Sequence, residues 1–340
     1  MKKIRVVQIG TWRFTHADHT MQSMRSMPDV FDVVGVCEPN DSDRELAMKR
    51  PAYTGLDFLT IEEVLADKSL DAVIIEASEL EQTKTALIFA EKGFNIHMDK
   101  PGGTSIEDYK KLMEIVKEKK IVFQPGYMYR YNPAVIQAIK AINEGKLGDI
   151  ISTELHMSSR YTKYMLDWLG GFKGGMMFYL GCHLVDLLYL IQGKPDEVIT
   201  LNGSSGTEET NSEDFGFVLY KYKRGTSFVK TVACETDGGT RRQAVISGTK
   251  GTIEIKPIEC PIEHSRITNA NEVKMRLTYS SGLQSGVLRT EEYCCSPYGR
   301  YDDMMIDFAR CVNGERVSLY TPEYELEVFK LILKSCNIIQ

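Results

Sequence analysis

Lys100, Tyr179 and His183 combine side chains that move protons with spacings that could bring them together. Lys100 follows a short apolar run, Phe94, Ile96 and Met98, that reads as a buried strand. Pro101 drives Lys100 out of helical dihedrals, so its ammonium projects from a stiff corner. The carboxyl end of a strand is where open α/β sheets bind ligands. Tyr179 and His183 lie four residues apart in a helical stretch, which puts them on one face, and Asp186 follows. If that face meets Lys100, one hydroxyl-bearing carbon is surrounded by proton-active groups. Such a group takes or gives the hydroxyl proton when a carbinol exchanges hydride with a nicotinamide. Blander readings compete: a solvated turn lysine, a packing tyrosine, and a core histidine satisfied by Asp186.

The elements needed to position Lys100 are legible upstream. Val6 to Gly10, Phe31 to Cys37, Leu70 to Ile75 and Lys120 to Phe123 read as further buried strands. Helical patterns lie between them: Thr15 to Ser26, a stretch opened by the capping-box spacing of Thr60 and Glu63, Leu80 to Lys92, and one started at Ser105 with acids behind it. Strands alternating with helices predict a Rossmann-like, doubly wound parallel sheet over residues 1–123.

The first strand-to-helix turn is Gly10-Thr11-Trp12-Arg13-Phe14-Thr15. Backbone approach to a pyrophosphate ordinarily uses glycines at three spaced positions, and only Gly10 meets that pattern. Trp12 could wall off a phosphate and Arg13 could bond it, or Trp12 and Phe14 could fill the cleft. Glu38, closing the second strand, can accept both ribose hydroxyls of NAD and would repel a 2′-phosphate. Cofactor-side candidates are therefore Gly10, Thr11, Trp12, Arg13, Phe14, Glu38, Ser78 and Lys100, with NAD expected over NADP.

At 340 residues the chain suits two domains. A net charge of −6 without a basic run excludes nucleic acid as an expected partner. No stretch of about 18 apolar residues exists, so no membrane span is expected. The direct entry of Met1-Lys2-Lys3-Ile4 into a strand argues against a signal peptide. The eight cysteines, Cys37, Cys182, Cys234, Cys260, Cys294, Cys295, Cys311 and Cys336, form no CxxC pair and read as reduced thiols of a cytoplasmic protein. His16 and His19 lack a further ligand and read as capping and solvent-facing, so no metal is expected.

From residue 124 the pattern changes. Asn132-Pro133 caps a helix that stops near Gly145. Strand-like stretches then recur: Ile150 to Met157, Glu197 to Leu201, Phe215 to Tyr222, Thr226 to Cys234, Ala244 to Ser247 and Thr252 to Ile255. Hairpin turns at Lys223-Arg224-Gly225 and Gly248-Thr249-Lys250-Gly251 imply an antiparallel sheet, and helices close the chain. Residues 124–340 thus read as an α+β domain with a large, mostly antiparallel sheet. Its apolar residues Phe215, Phe217, Leu219, Phe228 and Val229 would leave one face too greasy for water, predicting a homodimer or homotetramer built sheet to sheet.

Asp99-Lys100-Pro101 and the run Gly174 to Asp186 together resemble the Gfo/Idh/MocA oxidoreductase family, relatives of glucose-fructose oxidoreductase and inositol dehydrogenase. Asp99 stands for the glutamate of the family's Glu-Lys-Pro motif. Gly181, His183 and Asp186 match its glycine-led His-x-x-Asp pattern, with Tyr179 where an aspartate is usual. Gln124 to Pro133 resembles the domain crossover, with Arg130 retained. The resemblance implies histidine as acid/base, lysine and aspartate on the substrate hydroxyl, and a cis peptide before Pro101. Tyr179 beside Lys100 would offer a second proton carrier, a phenol whose reference pKa of about 10 a cation lowers. The loop Ser158 to Lys173 is rich in aromatic and charged residues and reads as substrate lining. Tyr127, Arg130, Trp168, Lys173 and Asp186 are the substrate-side candidates. The implied activity is NAD-dependent hydride transfer on a sugar, inositol or related polyol. Alternatives within the family are an NAD-requiring glycoside hydrolase and a non-catalytic ligand-binding regulator; Lys100 and His183 both survive here, against the latter.

Overall fold

The computed structural model describes residues 1–259, 273–280, 288–295 and 298–340. The chain divides into two compact units, Met1–Met128 with Tyr301–Phe329, and Tyr129–Arg300 with Lys330–Gln340. In the first unit β1 (Ile4–Ile9), α1 (Ala17–Ser26), β2 (Phe31–Cys37), α2 (Asp41–Ala47), β3 (Asp57–Phe58), α3 (Ile61–Ala66), β4 (Ala72–Ile75), α4 (Gln82–Ala90), β5 (Asn95–Met98), α5 (Ile106–Lys119) and β6 (Phe123–Pro125) alternate. The six strands are parallel in the order β3-β2-β1-β4-β5-β6. That order reverses direction between β1 and β4, the switch point at which doubly wound sheets open a crevice. Every residue of β4 is buried, as expected for a strand covered on both faces.

Local chemistry explains the boundaries. Thr60 and Glu63 form the reciprocal capping box, and the Ser105 side chain accepts from the Asp108 backbone N–H. Lys120 ends α5 in the left-handed conformation, so the strand read from Lys120 begins only at Phe123.

The second unit holds α6 (Pro133–Asn143), β7 (Ile150–His156), α7 (Lys163–Leu169), a π-helical turn (Met177–Gly181) running into α8 (Cys182–Gln192), and the strands β8 (Glu197–Thr200), β9 (Phe215–Tyr222), β10 (Gly225–Val232), β11 (Gln243–Gly248), β12 (Gly251–Ile255), β13 (Val273–Ser280) and β14 (Leu288–Cys295). Its eight-stranded sheet is antiparallel except where β10 pairs parallel with β7. Both predicted hairpins form. Along β9 the burial alternates, with Gly216, Val218 and Tyr220 buried and Phe215, Phe217 and Leu219 half-buried. Phe228 is also half-buried. Val229 corrects the expectation: it is fully buried on the covered face, because the period of two sets it opposite to Phe228.

The closing helices are α9 (Asp302–Val312) and α10 (Pro322–Ser335). The chain returns to the first unit at Tyr301. Ser23 Oγ of α1 donates to Asp302 at 2.6 Å, Phe308 packs edge-on to His97, and Phe329 stacks on Tyr109 at 4.0 Å. The seven described cysteines are free thiols, and Cys260 lies outside the described residues. Among the described residues no helix is long and apolar enough to cross a membrane.

Candidate functional site

Gly10 ends β1 with φ of +90°, and a Cβ there would stand 2.6 Å from the Glu76 carbonyl carbon. Only glycine allows β1 and β4 to approach so closely. Beyond it, Glu38 at the end of β2 is buried and anchors the turn. Its Oε2 accepts from the Thr11 backbone N–H at 2.7 Å and from Thr11 Oγ1 at 2.8 Å, while Oε1 accepts from the Asn40 N–H at 3.0 Å. Trp12 is half-buried and its indole N–H donates to Glu79 Oε2 at 2.9 Å. Phe14 is buried, and the exposed Arg13 lays its guanidinium 5.0 Å from the Phe14 ring. Ser78 is half-buried, and its carbonyl accepts from the Glu81 N–H at 2.9 Å in the turn before α4.

One strand further, Lys100 is 2% exposed and its peptide to Pro101 is cis. The corner fits against the end of β6 because Gly126 has no side chain; a Cβ there would stand 2.7 Å from Asp99 Oδ1. Asp99 accepts from the His16 backbone N–H at 3.2 Å and pairs with His16 Nδ1 at 2.9 Å. Burial raises the Asp99 carboxyl's pKa, but the charges and hydrogen bonds of His16 and Lys100 outweigh it and hold the value near about 2. His16 therefore departs from the capping role expected of it: it makes no side-chain cap, because the first turn of α1 lies over the end of β5. His19 is exposed and stacks on Tyr301.

Two acids in this region escaped the sequence reading. Glu76 follows directly on β4, and Glu79 stands in the turn between β4 and α4. Both are buried. Burial, reinforced by Asp99, pushes the Glu76 carboxyl well up. Burial also raises Glu79 to about 7, with Lys100 opposing. The crevice fits a dinucleotide on its own geometry, with Gly10 at the switch point, a carboxylate at the end of β2 and Lys100 at the end of β5.

In the second unit, Tyr179 sits within the π-helical turn and His183 and Asp186 within the α-helix that follows. The wider i→i+5 turn corrects the expectation of one regular helix face: Tyr179 is rotated from the place that four-residue stacking would give it. Its half-buried ring meets Trp168 edge-on at 4.9 Å and Tyr161 at 6.3 Å. Trp168 belongs to α7, whose Leu166 and Leu169 are buried, so the predicted substrate loop contains a helix. His183 is 1% exposed and lies edge-to-face with Tyr129 at 5.2 Å. Asp186 is joined to Arg130 by a buried fork: Nε reaches both carboxylate oxygens at 3.0 and 3.1 Å, and Nη2 reaches Oδ1 at 2.6 Å. Arg130 thus orders the helix through Asp186. Lys173 is exposed and donates to the Asn337 carbonyl. Tyr127 is buried in the first unit.

The first unit matches an oxidoreductase family with an NAD-binding Rossmann fold over residues 4–127, and residues 135–254 match a Gfo/Idh/MocA C-terminal domain. The chain is 31% identical over 153 residues to the uncharacterized oxidoreductase YhhX of Escherichia coli, which covers 44% of this chain and 43% of that protein. Thus it spans less than half the length of that relative. Over 86 residues, a quarter of each chain, it is 37% identical to the NAD-dependent scyllo-inositol 2-dehydrogenase of Bacillus subtilis. A levoglucosan dehydrogenase solved with NADH and levoglucosan shares the fold, at a TM-score of 0.78 and 18% identity over 98% of this chain and 97% of that one.

Proposed function

We propose, from the premise that this chain belongs to the Gfo/Idh/MocA oxidoreductase family, that it transfers hydride between NAD and a hydroxyl-bearing carbon of a sugar, inositol or related polyol. The observation that carries the proposal is Lys100, buried at the carboxyl end of β5 beside the switch point. A bound nicotinamide would supply the hydride acceptor or donor. Lys100 polarises the reacting hydroxyl, and His183 takes or returns its proton; Tyr179 is the competing carrier. Trp168, Tyr127 and Lys173 line the polyol, while Arg130 and Asp186 hold the helix that presents His183. Glu38 accepts the ribose hydroxyls and so favours NAD over NADP. Residues 1–123 serve the cofactor, and 124–340 serve substrate and assembly. The half-buried Phe217, Leu219 and Phe228 make the open sheet face the joint of a homodimer or homotetramer.

A nicotinamide-absorbance screen over sugars, inositols and sugar acids, run with NAD and NADP, tests the proposal. Turnover of at least one polyol, faster with NAD, is expected; no turnover with any of them would overturn it. Tyr179 in place of the family's usual aspartate favours one second reading, in which NAD serves transient oxidation during glycoside cleavage. Sugar release without net cofactor reduction would distinguish it.

A further inference from the structure

Glu79 takes no part in the proton chemistry above, yet it is a 2% exposed carboxyl in the cofactor crevice, held by the Trp12 indole at 2.9 Å. In a doubly wound sheet the two mononucleotide halves of a dinucleotide lie over the two halves of the sheet. Glu38, at the end of β2, marks the adenosine half. The nicotinamide half then falls over β4 to β6, where Glu79 stands. The charges that act on Glu79 come from the end of β5: Lys100 and Asp99, with His16 on Asp99. Asp99 and Lys100 act on Glu79 in opposite directions, so the ionisation of Glu79 decides the local sign.

We infer that Glu79, held in place by Trp12, makes this crevice bind the oxidised, cationic nicotinamide in preference to the reduced, neutral one. The inference rests on the NAD reading. The two cofactor forms share adenosine, riboses and diphosphate and differ by one positive charge on the ring. Any repulsion between Glu79 and the diphosphate is therefore common to both and cancels in the ratio of affinities. At an effective dielectric of about 20, one carboxylate charge changes that ratio by about tenfold or more at any separation up to roughly 12 Å. Because burial raises Glu79 to about 7, the preference switches on as the pH rises through neutrality. The indole N–H favours the charged carboxylate, so removing it moves the switch to higher pH.

Calorimetric titration of the full chain with NAD+ and with NADH, at about pH 6 and about pH 8, reads this out directly. In the wild type the ratio Kd(NADH)/Kd(NAD+) should rise about tenfold across that interval. In Glu79→Gln both forms should still bind, with the ratio fixed at its low-pH value. Trp12→Phe should keep the rise but shift its midpoint upward, a check that stands even if Glu79→Gln does not fold. A wild-type ratio independent of pH, or an equal rise in Glu79→Gln, would overturn the inference. Failure of the wild type to bind either form would instead sink the NAD reading, and the inference with it.

Discussion

At the carboxyl edge of the parallel sheet, Glu76, Glu79, Asp99 and Lys100 lie in the turns after β4 and β5, whereas in the second unit Tyr179 sits in the π-helical turn and His183 and Asp186 in the helix it runs into. The sheet edge concentrates charge: two acids are pushed up by burial, and a third is held down by His16 and Lys100. The helix instead surrounds its candidates with rings, Trp168 and Tyr161 on Tyr179 and Tyr129 on His183. Its Arg130–Asp186 charge pair is buried. Groups at strand ends are placed by backbone geometry and tuned by one another. Groups on the helix are placed by packing, and a π turn can reorient one of them without disturbing the rest.

The largest effect expected from breaking this contrast is at the sheet edge. Lys100→Met should lower kcat/KM about a thousandfold, measured by nicotinamide absorbance, if Lys100 polarises the reacting hydroxyl as proposed. Retention of full activity would remove Lys100 from the mechanism. Next is the ion pair of the second unit. Arg130→Met takes the buried guanidinium partner from Asp186 and should cost roughly 3–5 kcal/mol in urea unfolding. A loss below about 1 kcal/mol would show that water reaches the pair.

On the helix itself, His183→Ala should reduce turnover about a hundredfold and Tyr179→Phe only a few-fold. The reverse order would make the phenol the proton carrier, and Lys100→Met would then also shift the pH profile.

The smallest effect is a pH dependence within the first unit. Burial lowers the His97 pKa to about 4, against an unfolded value of about 6.5. As pH falls below about 6.5 the unfolded chain gains a proton that folded His97 refuses until about 4, so stability is lost across that window, by about 3 kcal/mol. Glu79 acts with the opposite sign: its folded value of about 7 exceeds the unfolded one, so stability is gained as pH falls from about 7 towards about 4. The two offset in the wild type. Relative to the wild type, unfolding free energies should therefore change in favour of acid in His97→Gln and against acid in Glu79→Gln; parallel slopes would refute the assignment.

Much of the fold was legible because its signals are local. The capping box at Thr60, the Asn132-Pro133 helix start, the β9–β10 hairpin and the strand before Lys100 all depend on neighbouring residues. Elements with weaker local signals escaped: the two-residue β3, the short α2 and α7, and the strands β13 and β14. The return of Tyr301–Phe329 to the first unit was also invisible, since it depends on contacts with residues far away in sequence, Ser23, His97 and Tyr109. Glu76 was readable in principle as an acid directly after a buried strand, and Glu79 as an acid in the turn that follows.

The sequence by itself determined the alternation of strands and helices, the proline corner that aims Lys100, the acid at the end of β2 and the family pattern around His183. Each follows from dihedral limits, periodicity or residue type, which act over a few positions. Only the tertiary structure decided that Glu79 is held by Trp12, that Asp99 is paired with His16 rather than left to Lys100, and that Asp186 answers to Arg130. These pairings join residues 56 to 83 positions apart, and desolvation at their sites, which no linear pattern records, sets which of the groups carry charge.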